Sequence, residues 1–393
     1  MGEAEKVVYF DNNATTAVAP EVFAAMTPFL TELYGNPSSI HHFGGQVMAH
    51  IDTAREALAA LLGANPTEVI FTSCGTESDN AAIRSAVLTC PRRDKIVVSR
   101  VEHPAVLNTA KDLERRGYRV GVIPVDGKGR LDMDRARELI DNQTAVVSVM
   151  WANNETGNLY PIRELAELAH RSGALFHTDA VQAVGKVPMD LASEEIDFLS
   201  LSGHKLHAPK GVGALYVRRG VRFRPFVAGG HQESNRRAGT ENVASIVGLG
   251  KAAELARANI EKENTHVHAL RDKLEKGILD TIPQVRINGD PEHRLPNTTN
   301  ISFEFIEGES ILMLLDMFGI CASSGSACTT GSLEPSHVLR AMGIPYTAAH
   351  GAIRFSLSRY NTEAEVDFVL EKLPPIIARL REISPYWSGT SAS

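Results

Sequence analysis

Residues 200–213, SLSGHKLHAPKGVG, place one lysine, Lys205, between a polar turn and a glycine-flanked strand. The mostly apolar residues 196–201 predict a strand that ends just before this lysine. A lysine amine in such a position can form a Schiff base with an aldehyde cofactor. A surface lysine in a turn explains the same residues equally well, so the prediction needs support from elsewhere in the chain.

Residues 177–182, HTDAVQ, give this support, because they follow another apolar strand at residues 175–176. Asp179 is an acid that can pair with a pyridinium nitrogen. An aspartate and a lysine at the ends of two neighbouring strands of an α/β sheet are the pair that a pyridoxal phosphate enzyme needs. Asp179 and Lys205 together therefore predict pyridoxal 5'-phosphate as the cofactor.

The composition is that of an ordinary soluble globular protein. The chain has 393 residues, 43% of them hydrophobic and 22% charged, which is enough for two domains. The net charge of -7 offers no basic surface for nucleic acid or an anionic membrane. No apolar run is long enough for a membrane span or a signal peptide, so we expect a cytoplasmic protein. The four cysteines form no C-x-x-C pair, so reduced thiols are expected.

Strands and helices alternate from residue 95 onward, which is typical of a doubly wound α/β fold with a mostly parallel sheet and flanking helices. The nearly continuous apolar run near residues 145–151 indicates a strand that is buried on both faces. Ligands of such sheets bind beyond the carboxyl ends of the strands. We predict a large cofactor-binding domain at residues 15–260. Residues 1–14 and 261–393 are predicted to form a smaller α+β domain.

Residues 72–80, TSCGTESDN, follow a short apolar strand and lead into a helix. Free N–H groups at such a helix start, together with the helix dipole, attract an anion. An ordinary N-cap by Thr72, Ser73 or Thr76 explains the stretch as well when it is taken alone. With Lys205 and Asp179 present, we predict that Gly75 and Thr76 hold the cofactor phosphate.

Four segments resemble the cysteine desulfurases, a group within the class V aminotransferase-like, fold type I enzymes. They are HTDAVQ at 177–182, SGHKLHAPKGVG at 202–213, RRAGTEN at 236–242 and SSGSACTTGS at 323–332. The similarity runs from YFDNNATT at 9–16 to RFSLSRY at 354–360, so it covers almost the whole chain. Within this group, the sequence is more similar to the nitrogen-fixation branch, the NifS type, than to the housekeeping branch.

The segment 323–332 carries a cysteine, Cys328, among small and polar side chains that nothing anchors in a core. A cysteine on such a loop is available as a nucleophile, whereas Cys321 lies nearer apolar residues and is the poorer candidate. The resemblance implies that Cys328 attacks the substrate sulfur and keeps it as a persulfide. The resemblance also leads us to expect that Cys328 can transiently hold an iron–sulfur cluster through this persulfide.

The resemblance also implies roles for residues elsewhere in the chain. Lys205 acts as the general base, and His103 stacks on the cofactor ring and exchanges protons with the substrate. Thr240 reaches the phosphate of the other subunit, so the active sites are shared in a homodimer. Arg354, an arginine in an apolar strand, needs an anion on physical grounds alone. The resemblance implies that this anion is the substrate carboxylate, which Arg354 clamps with help from Asn154. The remaining expected contacts are Gln182, Ser202 and His204 for the cofactor, Asn154 for cofactor and substrate, and Asn12 for the substrate.

The activity implied by the resemblance is conversion of L-cysteine to L-alanine with sulfur retained on Cys328. The sulfur is expected to reach an iron–sulfur scaffold or another acceptor protein, in a nitrogenase-related setting. A selenocysteine lyase or another enzyme of the aminotransferase type stays open as the alternative. A sulfur-delivery protein without catalysis is disfavoured because both Lys205 and Asp179 are present.

Overall fold

The structure is a computed structural model that describes residues 7–324 and 335–387. Cys328 lies outside the described residues. Numbered in chain order, the described strands are β1 Val8–Tyr9, β2 Val69–Thr72, β3 Lys95–Ser99, β4 Arg119–Ile123, β5 Thr144–Ser148, β6 Leu175–Asp179, β7 Phe198–Ser202, β8 Gly213–Val217, β9 Val285–Ile287, β10 Thr298–Phe303, β11 Ile320–Cys321 and β12 Ala352–Ser356.

The described helices are α1 Pro20–Met26, α2 Pro28–Thr31, α3 His42–Leu62, α4 Gly75–Thr89, α5 Pro104–Arg115, α6 Met133–Leu139, α7 Ile162–Arg171, α8 Gln232–Asn235, α9 Val243–Lys262, α10 His268–Thr281, α11 Gly308–Asp316, α12 His337–Ala341, α13 Tyr346–His350 and α14 Glu363–Glu382. Short 3₁₀ turns lie at Pro66–Glu68 and Gly203–Lys205, and a π-helical turn lies at Glu263–Val267. Over the described ranges, no helix is long and apolar enough to cross a membrane.

The main sheet has seven strands in the order β2-β8-β7-β6-β5-β3-β4. Every pairing in it is parallel except those of β8, which runs antiparallel to both β2 and β7. Val146 of β5 packs with α4 and α5 on one face, while Val147 packs with α3, α7 and α9 on the other. The sheet is therefore covered on both faces, which confirms the predicted α/β fold with a mostly parallel sheet.

A second, three-stranded antiparallel sheet has the order β12-β10-β9 and packs against α10, α11 and α14. The N-terminal strand β1 joins this unit, since it pairs with β11 and buries Val8 and Phe10 in the same cluster. Apolar residues between 338 and 352 belong instead to the cluster of the main sheet. The domain boundary at residue 260 stays a prediction.

The largest difference from the predicted elements is near the N-terminus. A single helix is predicted over residues 20–34, but the structure has α1 and α2, which are separated at Thr27. Pro28 lacks an N–H group and begins the second helix, as proline at a first turn does. The helix predicted from residue 46 begins four residues earlier, because His41 caps it by accepting the N–H of Gly44. The predicted break in the long helix after residue 243 is the π-helical turn between α9 and α10.

Candidate active site

A cavity of about 310 Å³ lies at the carboxyl end of the main sheet. The predicted residues follow five different strands, and the topology brings them together at one edge of the sheet. Those that line the cavity are Gly75 and Thr76 after β2, His103 after β3, Asn154 after β5, Asp179 and Gln182 at the end of β6, Ser202, His204 and Lys205 at the end of β7, and Arg354 of β12.

Lys205 lies in the 3₁₀ turn that follows β7, and its side chain is half-buried. Its Nζ donates to the carbonyl of Ala14 at 2.7 Å and also to the carbonyl of Asn13. The segment before α1 therefore positions the lysine amine inside the cavity. This accounts for the polar residues near the N-terminus, since their backbone carbonyls hold an ammonium group.

Asp179 is buried and His103 is partly buried in the wall of the cavity. Burial raises the pKa of Asp179, while nearby His103, the Val181 N–H and Lys205 favour the charged carboxylate. Burial also lowers the pKa of His103. The His103 Nδ1 accepts the N–H of Ala105 at 3.1 Å, so the neutral ring carries its proton on Nε2.

The start of α4 forms the predicted anion site. Gly75 is required there, because a Cβ atom would lie 2.7 Å from Cγ2 of Val181. Cys74 provides no side-chain cap, and within residues 7–324 and 335–387 no protein group accepts the N–H of Gly75 or Thr76. Two backbone donors at the positive end of a 15-residue helix thus face the cavity, as a phosphate requires.

Arg354 is nearly inaccessible, with 3% of its side chain exposed. Its Nη2 pairs with Asp11 at 2.6 Å, and its Nη1 donates to the backbone carbonyl of Asn154 at 2.9 Å. Asp11 is therefore the anion that burial of this arginine demands. The Nε of Arg354 has no partner among the described residues, so the guanidinium retains a donor for a ligand carboxylate.

Two further observations test whether these residues fit pyridoxal phosphate. The Oε1 atom of Gln182 is buried without a partner among the described residues, although its Nε2 donates to the carbonyl of Asn13. His204 is held by Thr15, and burial lowers its pKa to about 4, so it is neutral. Buried polar atoms are normally satisfied, so an orphaned amide oxygen beside Asp179 and Lys205 indicates a polar ligand. The residues fit the cofactor.

Two predicted residues lie outside this cavity. Asn12 does not line it, because its side-chain nitrogen donates to the carbonyls of Tyr9 and Ser356; Asn13 lines the cavity instead. The role of Asn12 toward the substrate stays a prediction. Thr240 is exposed, in a loop beside Arg237, and contributes nothing to the cavity of its own chain. Its role across a dimer interface stays a prediction, and so does the role of Cys328, outside the described residues.

Asp79 lines the cavity and was not predicted. One carboxylate oxygen each of Asp79 and Asp179 and one nitrogen of His103 lie within 4.8 Å of one another. A signal for it exists in the sequence: Asp79 is four residues after Gly75 and shares its helix face. An acid on a helix face that also carries Ala82, Ile83 and Ala86 is unusual for a merely structural surface position.

Comparison with known proteins identifies the family. The family described as Aminotransferase class-V matches residues 8–369. The chain belongs to this family. The class-V aminotransferases depend on pyridoxal phosphate, which confirms the predicted cofactor and agrees with the fit of the cavity. The match over residues 8–369 also confirms the resemblance to the class V aminotransferase-like enzymes.

Individual members of the class-V family are similar over nearly the full length of the chain. One relative, "Cysteine desulfurase NifS" of Azotobacter vinelandii, is 62% identical over 97% of this chain and 95% of its own. Another, "Cysteine desulfurase" of Gluconacetobacter diazotrophicus, is 63% identical over 98% of this chain and 97% of its own. A solved structure described as "NIFS-LIKE PROTEIN" covers 95% of this chain and 100% of its own, with a TM-score of 0.90 and 41% identity.

Proposed function

We propose that this protein is a cysteine desulfurase that converts L-cysteine to L-alanine and keeps the sulfur on Cys328. The observation that carries the proposal is that one cavity holds Lys205 and Asp179 from the main sheet together with Arg354 from the second sheet. An amine, an acid for a pyridine nitrogen and a cation for a carboxylate are the groups needed to process an amino acid with pyridoxal phosphate. The names of the two sequence relatives support cysteine as that amino acid.

Pyridoxal phosphate, when bound, accepts the electrons that the substrate Cα releases on losing its proton. Gly75 and Thr76 would hold its phosphate through their backbone N–H groups, with Ser202 and His204 beside them. Asp179 would keep the ring nitrogen protonated. The remaining contacts would come from the ring of His103 and the side chains of Gln182 and Asn154.

The protein's own groups then move protons and sulfur. The Lys205 amine takes the proton from the substrate Cα. His103 can take the substrate thiol proton at Nδ1 when this atom releases the N–H of Ala105. Arg354 and Asn154 hold the carboxylate. The Cys328 thiolate forms a bond to the substrate sulfur while the Cβ–S bond breaks. The bonding electrons stay with the carbon fragment, which takes up protons and leaves as alanine, so Cys328 carries a persulfide.

We further propose a cytoplasmic homodimer that passes this sulfur to an iron–sulfur scaffold or another acceptor. Two observations support the dimer: Thr240 is exposed on its own chain, and the apolar side chains of Leu30, Tyr34 and Ile40 are 61%, 71% and 105% exposed. Similarity to a protein named NifS supports a nitrogen-fixation setting. A cluster bridged by the Cys328 persulfide would be cargo of this reaction.

The activity is tested by measuring alanine and sulfide formed from L-cysteine in the presence of a reductant. We expect equimolar products from the wild type, loss of both in Cys328→Ala, and normal yields from the matched control Cys321→Ala. Full activity in Cys328→Ala would rule out the persulfide mechanism. Sulfide without alanine in the wild type, the result of β-elimination to pyruvate and ammonia, would rule out the proposed conversion to alanine.

The shared site is tested with mixed dimers in which one subunit carries Lys205→Ala and the other Thr240→Ala. If Thr240 serves the partner's site, one site in each mixed dimer has both residues intact and works at its normal rate. If Thr240 serves its own chain, both sites are impaired. The shared site therefore predicts half of the wild-type activity for the mixed dimer, and half of the activity of the Thr240→Ala homodimer would contradict it.

A further inference from the structure

Behind Asp179 lies a second buried carboxylate, Asp79, which the mechanism above does not use. Asp79 is 1% exposed and Asp179 is 6% exposed. Their oxygens are within 4.8 Å of each other, and both residues line the same cavity. Two carboxylates this close and this buried cannot both be ionised, so the pair must retain a proton.

The surroundings of the two carboxylates are unequal. Asp179 accepts the N–H of Val181 at 2.9 Å and feels the nearby Lys205 and His103. No described cation supports Asp79 in the same way. Its closest basic neighbour is His177, with Nε2 3.6 Å from Oδ1, and burial lowers the pKa of His177 to about 3. His177 is thus neutral and does not compensate a charge on Asp79.

His103 also faces Asp79, since one of its nitrogens lies within 4.8 Å of an Asp79 oxygen, and burial lowers the pKa of His103. The other groups around Asp79 are neutral or acidic. Glu102 follows β3, and burial raises its pKa to about 8. Cys74 precedes α4, and the hydroxyl of Ser200 in β7 bonds to the Asp79 carboxyl. The Oδ1 atom of Asp79 has no hydrogen-bond partner among the described residues. Desolvation, followed by repulsion from Asp179, raises the pKa of Asp79 well above its usual range.

We propose that Asp79 is a positioning residue that carries a proton in the resting site, so that the two carboxyl groups bear one negative charge and Asp179 holds it. If Asp79 were ionised, its repulsion would push Asp179 to take the proton and lose the charge that faces a pyridine nitrogen. The inference rests on the cofactor site proposed above. It assigns Asp79 to the reaction through Asp179, without direct contact with the reacting atoms.

The first test uses the apoprotein and needs no activity. An acid whose folded-state pKa is raised binds its proton more tightly when folded, so it costs stability as pH rises from its usual range toward the raised value. Asp79→Asn places a neutral amide in the same space and removes this cost. We expect the unfolding midpoint of the variant, relative to wild type, to rise as pH increases above the usual pKa range of an aspartate.

The control for this titration is Asp52→Asn, on an exposed position of α3. We expect its midpoint to follow that of the wild type at every pH. A difference for Asp79→Asn that is constant, or that shrinks as pH rises, would overturn the proposal. Either result would mean that Asp79 is already ionised in the folded protein.

The second test reads the proton directly and works with the wild type if Asp79→Asn does not fold. Infrared spectra of apoprotein with carbon-13 in its aspartate carboxyl groups should show a protonated carboxyl band at neutral pH that shifts with the label. Buried Glu102 and Glu155 are unlabelled, so their bands stay in place. Absence of a label-sensitive band overturns the proposal. So does a band that persists in Asp79→Asn but is lost in Asp179→Asn.

The cofactor-loaded protein provides a spectroscopic check. If Asp79 is neutral, Asp79→Asn leaves the midpoint of the pH-dependent absorbance of bound pyridoxal phosphate unchanged. A shift of about one pH unit would reveal a lost charge and contradict the proposal. Failure of the desulfurase assay together with the expected infrared band would refute the proposed function alone, and the reverse pattern would refute only the role of Asp79.

Discussion

The side of the cavity formed by the main sheet and the side formed by the second sheet hold their polar groups in different ways. On the main-sheet side, each group follows a buried strand within a few residues, and neutral contacts fix it. Asp179, for example, accepts the N–H of Val181 at 2.9 Å. On the other side, Arg354 is held by an ion pair to Asp11, 343 residues away in sequence.

This difference indicates that the two sides of the cavity suit different ligands. A rigid set of groups at strand ends suits a cofactor that stays bound through every turnover. A single guanidinium with one buried donor left over suits a substrate that must enter and leave. Contacts between Asn13 and both Thr298 and Asn297 join the two sides, so the spacing between them depends on the segment that also holds Lys205.

The largest expected effect comes from the main-sheet side. Lys205→Ala should lower turnover of L-cysteine by roughly a thousandfold, because the general base is lost. The control Lys210→Ala changes an exposed lysine of the same loop and should retain normal turnover. Steady-state alanine formation measures both variants. A tenfold or smaller loss in Lys205→Ala would place the base elsewhere.

A smaller effect is expected on the second side. Arg354→Lys keeps the charge but loses the forked donors, so KM for L-cysteine should rise by roughly 10- to 100-fold while kcat changes little. Arg286→Lys, in strand β9 of the same sheet, is the control and should leave KM unchanged. If Arg354→Lys lowered kcat and left KM unchanged, Arg354 would not bind the substrate carboxylate. The two sides of the cavity would then not serve the cofactor and the substrate separately.

The smallest effect concerns the stability of the main-sheet side toward acid. Burial lowers the pKa of His177 to about 3 in the folded protein, below its usual value in the unfolded chain. As pH falls from that usual value toward 3, the unfolded chain binds a proton that the folded protein does not bind, so the free energy of unfolding decreases. His177 should therefore lower the free energy of unfolding by about 1 kcal/mol per pH unit between pH 7 and pH 5, and His177→Gln should remove this decrease.

Urea unfolding at the two pH values measures this loss, with exposed His266→Gln as the control. His204 and His207 also have pKa values lowered by burial, to about 4 and about 3, so part of the acid sensitivity should remain in His177→Gln. An acid response identical to that of the wild type would show that His177 does not resist protonation.

The main-sheet side could be predicted from the sequence because its residues lie next to recognisable strands. Lys205 and Asp179 follow apolar runs, and the parallel topology brings their ends together. The side formed by the second sheet could not be predicted in this way, because the pairing of Asp11 with Arg354 depends on how the two ends of the chain pack together. The anion requirement of Arg354 was predictable, but its partner was not.

The same limit applies to two further residues near the cavity, Asn12 and Asp79. Asn12 and Asn13 are adjacent and identical in type, and only the pairing of β1 with β11 and the contact of Asn12 with Ser356 decide which one faces the cavity. Asp79 was missed because its helix face is buried only after α4 packs on the sheet. Helix spacing alone indicates that it shares a face with Gly75, but gives no reason to expect Asp179 opposite it.

The account as a whole depends on Lys205 being the residue that binds the cofactor covalently. Buried Lys186 is its physical rival, since burial lowers the pKa of that amine to about 8. The decisive measurement is borohydride reduction of the protein loaded with pyridoxal phosphate, followed by digestion and mass spectrometry. We expect the pyridoxyl group on the peptide that contains Lys205. A label on the peptide of Lys186, or no label on any lysine, would contradict the account.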